Sequence, residues 1–364
     1  MDIRLENVLE YEQPTKYIVK SENYSDDFAL PVLTAGKSFV LGFTDETDGI
    51  CKASESPVII FDDFTADCKY VDFDFKVKSS AMKILHKANT EDNLKYYFYA
   101  MQAIDYTPFS HKRVWISEYS KFKIKSRSVA EQNNIVKELD TVATAIDNTK
   151  QRLNALNELV KSRFIEMFGD IRISSIFPNI ALENFAQIGS SKRVHAADYV
   201  ESGVPFYRSK EIIELGNGQE PSVELFISKK QYESIKKTNG VPCKGDILMS
   251  AVGTIGKMWI VDGRKDFYYK DGNIISIHSE ETNPIYLKEA LANLIDDFKS
   301  ANVAGSAYSA LTIVKLKKMT VPMPPMSIQN EFADFVKLID KSKFVGYFTL
   351  NIFYVKSSHF HHPP

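Results

Sequence analysis

Three places in the 364-residue sequence carry residues at spacings that enzymes use, and two of them miss one required position. Asn283-Pro284-Ile285-Tyr286 is one residue away from the Asn/Asp-Pro-Pro-Tyr/Phe tetrapeptide that holds a flipped base amine, with isoleucine where the second proline belongs. A proline after asparagine there marks a helix start. Ala35-Gly36-Lys37-Ser38 ends like a phosphate-binding loop, yet the glycine required five places before Gly36 is Pro31. Asp62, Asp63 and Asp67, with Asp72 and Asp74, could feed a metal, but an alternating acidic strand edge explains them better. His359, His361 and His362 have no partners at ligand spacing, and no Ser-His-Asp or Cys-His arrangement assembles. The residues predict no catalytic group and no metal ligand.

Binding chemistry is better represented. Reading base edges takes side-chain forks and amides on exposed loops, and holding phosphates takes cations and backbone N–H groups. In the first part of the chain the candidates are Thr34, Lys37 and Ser38 after a strand, and His111, Lys112 and Arg113 in a later loop. Further on they are Ser190, Ser191, Lys192 and Arg193; Arg208, Ser209 and Lys210; Gly253, Thr254, Gly256 and Lys257; and Tyr268 with Tyr269 and Lys270. Gly253 and Gly256 would let the backbone approach a phosphate closely. Taken singly, each of these is a solvated lysine or a tight turn; as a set they point to nucleic acid. Lys229-Lys230 and Lys236-Lys237 read as the polar face of a helix.

The elements that must position these groups are written twice. Lys121-Phe-Lys-Ile-Lys-Ser-Arg-Ser-Val-Ala-Glu-Gln-Asn-Asn-Ile-Val and Lys318-Met-Thr-Val-Pro-Met-Pro-Pro-Met-Ser-Ile-Gln-Asn-Glu-Phe-Ala each lead into a helical pattern. A shift of 197 places Gln132 on Gln329, Asn133 on Asn330, Ile135 on Phe332 and Leu139 on Val336. Upstream, Leu30-Pro-Val-Leu echoes Val204-Pro-Phe-Tyr, and Val58-Ile-Ile-Phe echoes Asp246-Ile-Leu-Met. Between the copies Ile135, Leu139, Val142, Ile146, Thr149, Leu153, Leu156, Val160 and Met167 alternate steps of four and three, a heptad seam, with Phe164 beside it. Ser128 and Glu131 fit a capping box and Gly169 fits the stop, so the spacing predicts a helix over 129–168, about 60 Å long at 1.5 Å per residue. Such a seam needs a long partner helix. Short β-branched and aromatic runs at 56–61, 69–75 and 272–278, and helical patterns at 93–103 and 285–300, make the flanking domains α/β (mixed α+β).

Composition narrows the class without deciding it. A hydrophobic share of 44% suits a globular chain with a proper core in each domain. The formal net charge of -2 is not that of a free-standing DNA binder. Residues 1–126 hold 16 Lys/Arg against 20 Asp/Glu and residues 171–325 hold 19 against 17, so any phosphate grip rests on local patches or on a partner. No apolar run approaches the ~18 residues of a membrane span, and Met-Asp-Ile-Arg-Leu-Glu lacks the layout of a secretory signal. Cys51, Cys68 and Cys243 are scattered, which favours buried thiols in a reducing cytoplasm.

Over residues 1–343 the sequence resembles the specificity subunit of Type I restriction-modification systems. Val321-Pro-Met-Pro-Pro-Met-Ser-Ile-Gln-Asn-Glu-Phe resembles that family's proline-rich lead into a helix. Leu159-Val-Lys-Ser-Arg-Phe-Ile-Glu-Met-Phe-Gly-Asp resembles its exit from the first helix, and Gly245-Asp-Ile-Leu-Met-Ser-Ala-Val-Gly-Thr-Ile-Gly-Lys its strand-and-glycine-turn segment. The resemblance implies two target-recognition domains at 1–126 and 170–325, a coiled-coil spacer helix at 127–169, and a second spacer beginning at 326–345. It implies a non-catalytic subunit that reads a bipartite, gapped sequence in double-stranded DNA. Modification (methyltransferase) subunits would dock on the seam residues Ile135, Leu139, Val142, Ile146, Leu153, Leu156 and Val160, and a restriction (translocase/nuclease) subunit would join them. S-adenosylmethionine, ATP and Mg would then be bound by those partners, with no cofactor in this chain. The competing readings are a stand-alone or fused restriction enzyme's target domain, which needs a catalytic motif, and a structural scaffold.

One stretch departs from the pattern. Phe332, Val336 and Ile339 continue a seam, but Gly346 and the β-branched and aromatic residues after it are poor helix formers. The expectation is a truncated second spacer helix, an atypical tail over 346–364, and an exposed seam at 142–167 that invites self-association through the long helix.

Overall fold

The computed structural model describes residues 1–35, 38–109, 112–171, 174–302 and 311–359. They divide into two compact units, one built on Met1–Asn148 and the other on Thr149–Ile352.

In the first unit the strands Leu9–Glu12, Met82–Lys87, Val58–Asp62 and Cys68–Val71 lie side by side in that order, all antiparallel. A second sheet orders Val40–Thr44, Leu30–Leu33 and Lys76–Val77, the last pair parallel. Every residue of Val58–Asp62 is buried. Successive side chains of a strand point to opposite faces, so Val58 and Ile60 enter one core with Phe75 and Val77. Ile59 and Phe61 enter another with helix α1 (Leu94–Gln102) and Trp115.

Helix α2 runs from Val129 to Phe168, as the heptad spacing predicts. Its start is the expected capping box: Ser128 N–H donates to Glu131 Oε2 at 2.9 Å, and Glu131 N–H donates to Ser128 Oγ at 3.4 Å. Its end is Gly169 at φ 83°, a left-handed conformation that a side chain resists.

The second unit repeats the first. Gln187–Gly189, Ile274–His278, Ile247–Ser250 and Met258–Ile260 form an antiparallel sheet with the same permutation of chain order. Val204–Tyr207 pairs parallel with Tyr268–Tyr269, as Leu30–Leu33 does with Lys76–Val77. The alternation recurs too: Ile247 and Met249 face one core and Leu248 the other. Around the sheets stand α3 (Ser209–Gly216), α4 (Lys229–Asn239), α5 (Pro284–Asn302) and α6 (Ile313–Lys318). The lysines at 229, 230, 236 and 237 are the exposed face of α4. Asn283 and Pro284 are a helix start, with Asn283 Oδ1 accepting the Ile285 N–H at 2.9 Å.

Helix α7 spans Met326–His359, shorter at 34 residues than the 40 of α2, as expected, but running further than its residue types predict. The expected break at Gly346 does not occur, and the described part of the 346–364 tail is helical, with 360–364 outside the described residues. Packing outweighs propensity here. A Cβ at Gly346 would stand 2.9 Å from Leu153 Cδ2, so the glycine lets α7 lie close against α2. Phe332, Val336 and Ile339 bury against Val160 and Phe164. Within this unit the seam positions Leu153, Val160, Phe164 and Phe168 are therefore buried, not exposed as expected. Exposed apolar residues stand on both helices, Leu159 and Ile165 on α2 and Leu338, Phe344, Val345 and Phe348 on α7.

Two smaller expectations also change. Cys243 is exposed while Cys51 and Cys68 are buried. The acidic residues build turns rather than a strand edge: Asp62 Oδ1 accepts the Phe64 N–H at 2.9 Å, and Asp63 Oδ1 accepts the Trp115 N–H at 2.8 Å. Asp63 also pairs with Lys83 at 3.3 Å, both 1% exposed, and Asp74 is taken up by Lys52 and Ser54.

Candidate nucleic-acid interface

Each domain is bolted to the start of its own helix by one set of hydrogen bonds, made twice. Gln132 Oε1 accepts the Asn93 N–H at 2.8 Å, and Asn93 Nδ2 donates to Asn133 Oδ1 at 2.8 Å. Gln329 Oε1 accepts the Asn283 N–H at 2.8 Å, and Asn283 Nδ2 donates to Asn330 Oδ1 at 2.8 Å. Tyr96 and Tyr286 each donate a hydroxyl hydrogen at 2.5 Å to a carbonyl of the strand before the helix, Lys125 O and Pro322 O. These bonds tie α1 and α5, which pack on the sheets, to the starts of α2 and α7, and one end of each sheet carries the candidates.

In the second domain that end gathers segments distant in sequence. Ser190 follows its strand and accepts the Gly272 N–H at 3.2 Å. Ala251 N–H donates to Asn273 O at 2.8 Å, which ties in the 251–257 turn. Lys270 N–H donates to Tyr207 O at 2.9 Å, which brings Arg208, Ser209 and Lys210 alongside. Lys192 and Arg193 are exposed there, as are Thr254 and Lys257.

Not every candidate is available. Tyr268 is 1% exposed, and its hydroxyl accepts the Lys192 N–H at 2.7 Å. It shapes the surface from beneath and presents no ring to a ligand, because the ring is buried in the core with Phe206 and Ile274. Gly256 has φ 79°, and a Cβ there would meet Ile295 Cγ2 at 2.4 Å, so contact with α5 is what requires glycine. Gly253, at φ 72°, faces open space and can approach a phosphate. Several cations are matched by carboxylates: Arg193 with Asp271 at 2.7 Å, Arg208 with Glu211 at 2.8 Å and Glu224 at 2.9 Å, and Lys210 with Glu224 at 3.0 Å. Hydrogen bonding to Glu211, which is fully buried, raises the Arg208 pKa despite the cost of burial. Ser191 Oγ is buried without a partner among the described residues.

The first domain presents the same end more sparsely. Thr34 Oγ1 donates to Ser38 O at 3.1 Å across the turn after Leu30–Leu33. Arg113 Nη2 donates to Ser80 O at 3.2 Å, and Val114 N–H donates to Asp63 O at 3.0 Å, so the late loop lands where the central strand ends. Lys112 is exposed. Lys37 and His111 lie outside the described residues. Sequence reasoning passed over Lys78, whose N–H donates to Leu33 O at 2.9 Å as that of Lys270 does to Tyr207 O. Only the parallel strand pairing shows that equivalence. Among the described residues no helix is long and apolar enough to cross a membrane, and no group of three or more His, Cys, Asp or Glu could hold a metal.

Two copies of one sheet, each held to the start of its own helix and each with polar and cationic groups at the same end, define a protein of two similar domains. The fold is shared with the S subunit of the M. genitalium Type I restriction-modification system, at TM-score 0.58 and 15% identity over 99% of this chain and 94% of that one. Residues 177–344 match the family model of the Type I restriction modification DNA specificity domain. The chain is 47% identical to the EcoR124I/EcoR124II type I restriction enzyme specificity subunit of Escherichia coli over 162 residues, which is 41% of this chain and 40% of that subunit's length. It is 24% identical to a putative type I restriction enzyme specificity subunit of Haemophilus influenzae over 298 residues, 78% of this chain and 74% of that one. The second half of the chain thus matches the Type I restriction modification DNA specificity domain, and the chain is similar to type I restriction enzyme specificity subunits.

Proposed function

We propose that the chain reads a bipartite, gapped sequence in double-stranded DNA and directs the adenine methylation and restriction carried out by partner subunits. The observation that carries this reading is the repeated lock of Asn93 and Asn283 onto Gln132 and Gln329, which poses two similar sheets the same way on two helices. Two similar readers on one chain suit two half-sites separated by unread base pairs. Modification subunits dock along the helices, and the restriction subunit joins the assembly. S-adenosylmethionine, ATP and Mg bind to those partners. Thr34, Ser38, Lys112, Arg113, Ser190, Lys192, Arg193, Gly253, Thr254 and Lys257 stand at the sheet ends in keeping with contact to bases and phosphates. The test is co-expression with the modification subunits and a genome-wide map of methylated adenines. A gapped two-part motif is expected; methylation that is absent, or confined to a contiguous short site, would sink the two-reader model.

A further inference from the structure

Strand register aligns the two domains residue by residue. Val32 and Leu33 pair with Lys76 and Val77, and Phe206 and Tyr207 pair with Tyr268 and Tyr269. The next residue, Lys78 or Lys270, donates its N–H to Leu33 O or Tyr207 O, both at 2.9 Å. Three residues on, Ala81 O and Asn273 O accept the N–H groups of Asp63 and Ala251, so the alignment holds on both sides of the lysine. Its neighbours have diverged, from Lys76, Val77, Ser79 and Ser80 to Tyr268, Tyr269, Asp271 and Gly272. The lysine is the same in both.

Other shared side chains have a shared internal partner. Asn93 and Asn283 bond Gln132 and Gln329. His86 and His278, equivalent along the same strands, each bond a carboxylate, Glu12 at 3.0 Å and Asp246 at 2.6 Å. The lysines do not. Lys78 Nζ pairs with Glu22, itself 80% exposed, and lies 5.8 Å from the Tyr24 ring centre. Lys270 Nζ makes no hydrogen bond or ion pair among the described residues. A common cation at one sheet end, without a common fold contact, has its reason outside the chain. Resting on the reading of the protein as a DNA specificity subunit, we infer that Lys78 and Lys270 are equivalent phosphate contacts, one per half-site, with Glu22 holding Lys78 until a phosphate replaces it.

The experiment measures binding of the assembly with modification subunits to a duplex carrying its mapped target and to a scrambled duplex, across a range of salt concentrations. Lys78→Gln and Lys270→Gln should each lower the slope of log affinity against log salt by about 0.9 and weaken both duplexes in proportion. Lys270→Arg should keep most of the affinity, and Glu22→Gln should tighten binding. Unchanged unfolding midpoints check that the variants are folded. Wild-type slope and affinity in Lys270→Gln would overturn the phosphate assignment, as would a loss limited to one base pair of the target. A wild-type assembly with no preference for the mapped target would instead overturn the specificity reading.

Discussion

Gln132 and Gln329 are 2% and 1% exposed, and each accepts a backbone N–H that would otherwise be buried without a partner. Each also donates to a carbonyl five residues earlier, Arg127 O at 3.1 Å and Pro324 O at 2.9 Å. Replacing either by leucine should cost about 1–3 kcal/mol of its own unit's stability, read from urea unfolding, because the orphaned groups stay dry. The cysteines give a second residue-scale test. Burial pushes the Cys51 thiol up to about 11 and the Cys68 thiol up to about 12. At pH 8, alkylation followed by mass spectrometry should therefore find Cys243 modified and Cys51 and Cys68 protected until the chain unfolds. A pKa raised in the folded state means the native thiol keeps its proton more tightly. That contribution to stability is complete below the unfolded value of about 8.5 and is lost as pH rises toward 11 and 12. The pairing of Gln132 with Gln329 was visible in the sequence because both follow a strand-to-helix junction. The partners Asn93 and Asn283 were not visible, since they lie 39 and 46 residues upstream.

At the scale of elements, α2 was legible because a heptad repeat, a capping box and a C-terminal glycine all agree on 129–168. Helix α7 was legible only at its start. Its later residues have weak helix propensity, and the contact of Gly346 with Leu153 that rewards the helix is long-range. Gly346→Ala should be nearly neutral, since the gain in helix propensity offsets a small shift of a flexible leucine methyl. Gly346→Leu should destabilise the second unit by roughly 1–3 kcal/mol through overpacking, with Leu153→Ala recovering part of that in the double variant. Leu153→Asp should be worse than either, because Leu153 is 6% exposed and the charge would have no partner in the seam. Thermal unfolding of the three variants ranks them.

At the scale of the whole molecule, the proposed function makes the duplication a modular device, with one half-site per domain. Thr254→Ala with Lys257→Gln, in the second domain's turn, should degrade one half of the methylation motif and leave the other half intact. Arg113→Gln, which frees the late loop of the first domain from Ser80, should degrade the other half. Methylation maps of the two variants separate these outcomes; equal loss at both halves would mean that the domains do not read independently.

The sequence by itself determined the elements whose causes are local: the α2 helix from its period and caps, the central strands from their apolar runs, and the repeat from the Gln-Asn pairs. It also marked most of the candidate loops, because cations, small polar residues and glycines between strands are local signals. Tertiary structure decided what depends on distant partners. It buried Tyr268 in the core beside Phe206, assigned Gly256 to α5, neutralised Arg208 with Glu211 and Glu224, and carried α7 past Gly346. It also set Lys78 beside Leu33 as it set Lys270 beside Tyr207, since strand register is fixed by which side chains share a core and not by residues adjacent in the chain.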